Sequence, residues 1–381
     1  MSKLIALATG GTGGHVFPAQ ALAEEMQGRG HRLILITDTR GGAYQGPLGN
    51  LETHIISAAG VSGRGKLGIV KSIAKLGIGF FQARKLLKQL RPDAVVGFGG
   101  YPSVPTMYAA TLLGQRTVIH EQNAVLGRAN RLLAPRVDRI ATSFEYTSAL
   151  RGADQSKTIW TGNPIRPEIA GIEKTPYLRP EQDQPIHILV TGGSQGAAIF
   201  GETIPLAVGS LPPELRSRIR ITQQVRQEQL DEVTQRYRDL GIQADLKSFL
   251  DDMPDQLAKS HLVICRAGAS TMAELTTAGR PAILVPYPYA VDDHQAANAA
   301  RLCDAAGAWM IPQADLTVET LSNRLNQLLG TPHTLANAAQ AAKRLAMPDA
   351  TRQLADLVES LLKSNGHGPD SHDSNKVKEA A

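Results

Sequence analysis

Three glycine-rich turns, each following an apolar run of β type, constrain this chain most. They are Thr9-Gly10-Gly11-Thr12-Gly13-Gly14-His15 after LIALA, Gly97-Phe98-Gly99-Gly100-Tyr101-Pro102-Ser103 after DAVV, and Thr191-Gly192-Gly193-Ser194-Gln195-Gly196-Ala197 after IHILV. Each precedes a segment that reads as a helix. A strand, a turn free of Cβ bulk and a helix start together let backbone N–H groups approach an anion, and the helix dipole favours negative charge there. Two turns fall in the first half and one in the second, which predicts two similar α/β halves facing a phosphorylated ligand. For any single loop the competing reading is a tight βα turn without a ligand; the recurrence of Gly-Gly pairs argues against that for the set.

The 381 residues exceed what one core comfortably holds, and 42% hydrophobic content is ordinary for a globular protein. Strand-like runs (KLIALAT, RLILIT, DAVVGF, RTVIH, DRIAT) alternate with helical ones, the first helix expected from about Pro18 to Gln27. This alternation predicts parallel sheets covered on both faces. It breaks after Thr161 at Gly162-Asn163-Pro164-Ile165-Arg166-Pro167 and a polar stretch with Pro176, Pro180 and Pro185, then restarts with IHILVT, IRITQQ, ADLKSF, HLVICR and PAILVP. The expected organisation is therefore two doubly wound domains, residues 1–164 and 165–345, an amphipathic C-terminal helix over about 346–364, and a disordered tail over 365–381.

Forty Lys and Arg against 35 Asp and Glu leave a net charge of +5, too small a bias to indicate nucleic acid. The distribution is more informative. Between Thr53 and Pro92 there is no acidic residue, while Arg64, Lys66, Lys71, Lys75, Arg84, Lys85, Lys88 and Arg91 all lie there, mixed with Leu67, Ile69, Val70, Ile73, Leu76, Ile78, Phe80 and Phe81. Such a segment is either a core helix with a basic outer face or a surface patch for anionic lipid. Cys265 and Cys303, without metal-ligand spacing, imply neither a disulfide framework nor structural zinc. The apolar run near the N-terminus is too short for a signal peptide and no run suits a membrane span, so a cytoplasmic protein is expected.

Several residue types carry candidate chemistry. Asp38 after the second strand invites a dinucleotide reading, but with Gly11 and Gly13 as the first two glycines the third would fall on Val16, and the G-x-G-x-x-G spacing fails. His15, at the mouth of the first turn, either bonds locally at a helix start or serves as a base near neutral pH. Thr271-Met272-Ala273-Glu274 fits a capping box; alternatively Glu274 faces an inter-domain crevice and accepts both hydroxyls of a ribose. Gln295 and Asn298 share a helix face after Asp292-Asp293-His294. Arg166, at the expected hinge, is either solvated or clamps a diphosphate. No Asp-x-Asp pair offers a metal-diphosphate site, so helix dipole and arginine would carry the leaving charge.

Taken in order and spacing, GGTGGH, FGGYPS, HEQN, GNPIR, GGSQGA, FLDDM, CRAGAST-x-x-E and DDHQAANA resemble the MurG family of bacterial N-acetylglucosaminyltransferases, from about Leu4 to Leu362. The resemblance implies an α/β GT-B fold, two Rossmann-like domains around a cleft, with the lipid acceptor on the N-terminal domain and the UDP-sugar donor on the C-terminal one. It implies an inverting, metal-independent transfer of N-acetylglucosamine from UDP-N-acetylglucosamine to the muramoyl 4-hydroxyl of undecaprenyl-linked lipid I, giving lipid II for peptidoglycan, with no cofactor. It places Thr12, Gly13 and Gly14 in the diphosphate region, Asn123 at the sugar, Arg166 and Ser194 at the donor diphosphate and Leu250 at uracil. The run Ala269, Ser270, Thr271, Met272 and Ala273 leads to the ribose contact at Glu274; Gln295 holds sugar hydroxyls, and His15 is the candidate general base. It further implies a peripheral protein at the cytoplasmic face of the cell membrane. A GT-B transferase with another lipid acceptor would share the donor motifs, and a non-catalytic nucleotide-sugar binder would need neither His15 nor the basic apolar segment.

Overall fold

The computed structural model describes residues 2–11, 13–39, 46–59, 66–193 and 196–363. Thr12, Ser194, Arg64 and the expected tail over 365–381 lie outside the described residues. In the first half, β1 (Leu4–Ala8), β2 (Arg32–Thr37), β3 (Glu52–Ile55), β4 (Ala94–Gly97), β5 (Arg116–Glu121), β6 (Arg139–Thr142) and β7 (Thr158–Trp160) form a parallel sheet ordered β3-β2-β1-β4-β5-β6-β7. In the second, β8 (Ile186–Thr191), β9 (Ile219–Gln224), β10 (Gln243–Lys247), β11 (Leu262–Cys265), β12 (Ala282–Leu284) and β13 (Ala308–Met310) form another, ordered β10-β9-β8-β11-β12-β13. Helices cover both faces, so the central strands are buried on both sides and read as unbroken apolar runs. Leu7 of β1, for instance, stands opposite Leu35 and Val96 and is fully buried.

Both sheets reverse their winding beside their first strand, between β1 and β4 and between β8 and β11. Ligands of open α/β sheets bind outside the carboxyl ends of strands at such switch points. The turns that leave these four strands are GGTGG, FGGYP, GGSQG and RAG, so the motif loops sit where the topology makes a crevice. Glycine is required there by close approach: a Cβ on Gly10 would lie 2.7 Å from Pro102 of the neighbouring turn. Gly99 and Gly100 both adopt positive φ, +82° and +73°.

The structure shifts several expected boundaries. The first helix spans Gly13–Gly28 rather than starting near Pro18, so His15 lies inside its first turn. The helix after the third glycine turn begins at Ala198, four residues beyond Ser194. Strands β3, β7 and β13, absent from the sequence reading, all occupy sheet edges.

The helix Ala350–Lys363 packs on the first half. Leu354, Ala355, Leu357, Val358 and Leu361 join Ile5, Leu7, Leu22 and Met26 in one apolar core. Arg29 binds Asp356 at 2.6 Å, and His31 meets Glu359 at 3.1 Å. On the way there the chain crosses Gly162, where a Cβ would come within 2.9 Å of Met347 and Ala350.

Candidate functional site

A cavity of about 460 Å³ lies between the halves. The N-terminal half contributes Gly13, Gly14, Phe17 and Asn123 to its wall, and the linker contributes Arg166. The C-terminal half adds Gly192, Gly193, Leu250, the helix start Ala269, Ser270 and Thr271, and then Glu274 and Gln295. A second cavity of about 280 Å³ adjoins it on the N-terminal side, lined by His15, Gly99, Gly100, Glu121 and Asn130, with Val291 and His294 shared between the two.

Glu274 settles the choice between cap and crevice. The helix Ala269–Ala278 is capped by Gly268, so Thr271 is not an N-cap and the capping-box reading fails. The Glu274 carboxylate instead accepts a hydrogen bond from Arg166 Nη2 at 3.1 Å, across 108 residues of sequence. Burial pushes its carboxyl above the usual carboxylate range, and Arg166 opposes that shift. The Arg166 guanidinium also stacks 5.2 Å from the Phe17 ring. Among the described residues, buried Arg166 Nε and Ser270 Oγ have no hydrogen-bond partner. Leaving such groups unpaired costs about 1–3 kcal/mol each, and both belong to residues that line the cavity, where a polar ligand can pair them.

Gln295 is fixed by its oxygen, which accepts from the N–H groups of Ala267 (3.2 Å) and Tyr287 (2.9 Å). Its amide NH₂ is thereby the end left to donate. Asn298, three residues on, is fully buried and ties the halves together. It accepts from Ala124 N at 2.8 Å and donates to Ala267 O and to Asn123 Oδ1, each at 3.1 Å. Asn123 is thus positioned from the opposite domain. Leu250 is almost fully buried, belongs to the same C-terminal core as Leu257 and Met272, and lines the cavity.

On the N-terminal side His15 reaches beyond its own turn: Nδ1 lies 2.9 Å from Gln122 Oε1. Glu121 lines the same cavity, but its carboxylate serves four donors. Asn123 N and Nδ2 reach Oε1, while Gly127 N and Asn130 Nδ2 reach Oε2, at 2.8–3.2 Å. With its lone pairs so engaged it holds loops in place, and His15 is the better-placed proton acceptor. Asp292 bridges the halves a second time, accepting from Arg128 at 2.9 Å and Arg131 at 2.5 Å. These bonds, led by that from Arg128, hold its carboxyl below the usual range.

The sequence reading missed Gln122, Phe17 and Arg266 as site residues. Arg266, buried under the cleft, donates to Val285 O, Pro286 O and Gln313 Oε1. It stood in the CRAGAST motif, and its arginine before a helix-capping glycine was the available signal. No helix among the described residues is long and apolar enough to cross a membrane.

Two doubly wound domains whose switch-point loops converge on one cleft, with a buried carboxylate, an arginine and a glycine-capped helix start on its C-terminal wall, have the architecture of GT-B glycosyltransferases. The chain belongs to glycosyltransferase family 28: the model of that family's N-terminal domain matches residues 5–142 and that of its C-terminal domain residues 187–354. Within it, the chain is 55% identical over 359 residues to the UDP-N-acetylglucosamine–N-acetylmuramyl-(pentapeptide) pyrophosphoryl-undecaprenol N-acetylglucosamine transferase of Paramagnetospirillum magneticum, covering 94% of this chain and 97% of that one. It is 52% identical to the enzyme of the same name from Rhodospirillum centenum, with 93% of each chain covered. The crystal structure of Acinetobacter baumannii MurG superposes with a TM-score of 0.78 at 32% identity, covering 94% of this chain and 99% of that one.

Proposed function

We infer that this chain transfers N-acetylglucosamine from UDP-N-acetylglucosamine to the muramoyl 4-hydroxyl of undecaprenyl-pyrophosphoryl N-acetylmuramoyl-pentapeptide, converting lipid I to lipid II for peptidoglycan. The observation that carries this reading is a cleft lined from both halves by anion-binding turns, as a reaction between two diphosphate substrates requires. In the proposed mechanism His15 takes the proton of the attacking hydroxyl. The hydroxyl oxygen bonds to C1 of the sugar opposite to UDP, and the C1–O bond to UDP breaks with inversion. Arg166 and the helix start at Ala269–Thr271 receive the developing negative charge. Glu274 takes the ribose hydroxyls and the Gln295 amide donates to the sugar, with Asn123 beside it. Thr12 and Ser194 keep the diphosphate roles that the family resemblance gives them.

We further propose that the enzyme works on the cytoplasmic face of the membrane through the helix Lys66–Leu90. Val70, Ile73, Ile78 and Phe81 are all more than half exposed and, at i, i+3, i+8 and i+11, share one helix face. Lys71, Lys75 and Lys85 flank them. Each lysine near an anionic surface adds about 1 kcal/mol, and the apolar side chains add a part that salt does not screen.

Labelled UDP-N-acetylglucosamine with a lipid I analogue tests the chemistry: transfer is expected, and it persists in EDTA. Transfer abolished by EDTA and restored by Mg²⁺ would refute metal independence. Co-sedimentation with anionic vesicles tests the surface. Binding should weaken without vanishing at high salt and fall in a Lys71→Glu, Lys75→Glu, Lys85→Glu variant whose UDP affinity is intact; unchanged binding there assigns the helix to another partner.

A further inference from the structure

We propose that Gln122 is a positioning residue that holds His15 in its Nδ1–H tautomer, and that the carbonyl of Gly162 in the inter-domain linker sets this orientation through His120. The proposal rests on His15 as the base and adds how the base is kept in the correct form.

Three hydrogen-bonded links join Gly162 to His15, each fixed by what its atoms can do. Gly162 O lies 3.1 Å from His120 Nε2, and a carbonyl can only accept, so that nitrogen carries the hydrogen. His120 is fully buried, and burial lowers its pKa to about 4, so the ring is neutral and its Nδ1 is an acceptor. Gln122 Nε2 lies 3.0 Å from that Nδ1, 3.0 Å from Phe98 O and 3.1 Å from His120 O. All three are acceptors, which admits one orientation of the amide: NH₂ toward His120, oxygen toward His15. Oε1 then meets His15 Nδ1 at 2.9 Å, and since an amide oxygen cannot donate, Nδ1 of His15 bears the hydrogen. The lone pair of neutral His15 is left on Nε2.

The FGGYP turn packs closely against the imidazole. Cβ atoms built on Gly99 and Gly100 would each lie 3.4 Å from it, so these glycines let the FGGYP turn close over the imidazole. Besides His120, the ionisable groups around the His15 cavity are Glu121, Tyr101, Arg128, Asp292 and His294. Glu121 is engaged with four donors and Arg128 with Asp292. Among the described residues, the bond to Gln122 decides which nitrogen of His15 is basic, a role that carboxylates perform in other histidine-dependent enzymes. A neutral amide fixes the tautomer without stabilising the imidazolium of the resting enzyme as a carboxylate would.

Two measurements test this. In the intact protein labelled with ¹⁵N-histidine, long-range ¹H–¹⁵N correlations should show neutral His15 with the proton on Nδ1 and His120 with it on Nε2; the opposite tautomer of either ring overturns the proposal. In kinetics, Gln122→Met should lower kcat roughly tenfold or more at unchanged donor KM and unchanged thermal protection by UDP. Gln122→Glu, which keeps the acceptor, should recover part of that loss and move the acid limb of the kcat profile to higher pH, since a neighbouring carboxylate favours the imidazolium. An acid limb that stays in place in Gln122→Glu, or a Gln122→Met variant that melts earlier yet keeps its kcat, refutes the relay. His15→Ala distinguishes the two readings: full activity there removes the base and the relay together, whereas an inactive His15→Ala beside fully active Gln122 variants removes the relay alone.

Discussion

The two halves share a winding order, yet their switch points are finished differently. In the N-terminal half the polar groups are bound to one another: His15 to Gln122, Gln122 to His120, and Glu121 to four donors. Among the described residues lining the smaller cavity, Asn130 Oδ1 is the exception, buried without a partner. In the C-terminal half Gln295 is steadied by backbone N–H groups while Ser270 Oγ and Arg166 Nε stand buried and unpaired beside the larger cavity. The same topology thus yields a wall of mutually bonded polar groups on one side, matching the proposed catalytic role of His15, and on the other a wall with unpaired groups, matching the proposed binding of the donor. Orientation has to be fixed before the reaction, whereas binding groups gain their partners from the substrate.

The contrast has consequences that can be broken one residue at a time. The largest effect is expected at His15: His15→Ala should lower kcat by about 100- to 10,000-fold while calorimetric UDP affinity stays unchanged. A loss confined to donor KM would erase the distinction between the two walls. Next, Glu274→Gln should weaken UDP binding by about 10- to 100-fold, the loss of a charged hydrogen bond of about 1.5–3 kcal/mol. Its melting temperature should hold, because Gly268 rather than Thr271 caps the helix. A lower melting temperature with intact affinity would make the carboxylate structural.

Ser270→Ala sharpens the point further. Removing an unpaired buried hydroxyl should leave stability unchanged or slightly higher, yet weaken the donor about two- to tenfold in the same titration. The smallest effect lies away from the cleft. A hydrogen bond from His31, aided by Arg29 and Lys363, holds the Glu359 carboxyl below its usual range. A depressed carboxylate contributes stability above its unfolded pKa and loses it as pH falls through the folded one. Glu359→Gln should therefore melt less than about 2 °C early at neutral pH. In melts at successively lower pH that difference should close; a gap that widens toward acid would contradict the pairing.

How much of this was legible in the sequence depends on the range of the signal. Three of the four switch-point turns are local in sequence, a glycine cluster after a buried strand, and they could be read directly, whereas the fourth, Arg266-Ala267-Gly268, holds a single glycine. Strands β3, β7 and β13 could not, because ETHI, TIW and AWM are short edge segments whose side chains are partly exposed and so lack an apolar run. The capping-box reading of Glu274 failed because Thr-x-x-Glu recurs inside a helix as readily as at its start, and Gly268 begins this one three residues earlier. His15–Gln122 and Asn123–Asn298, separated by 107 and 175 residues, exist only once the sheets are wound. Gln122 was visible in HEQN, but nothing in four letters says that its amide would turn toward a histidine on another strand's turn.

The helix Ala350–Lys363 closes the core that β1 opens, with Leu354, Ala355 and Val358 packed against Ile5, Leu7 and Met26. On the ribosome these partners emerge at opposite ends of the elongation run. The first half therefore carries uncovered apolar surface while the entire donor domain is being made, although sequence order alone would have it finish first. Synthesis order and folding order are uncoupled here: the half that leaves the tunnel first is sealed last, and its apolar surface stays open to water in the interval between those events.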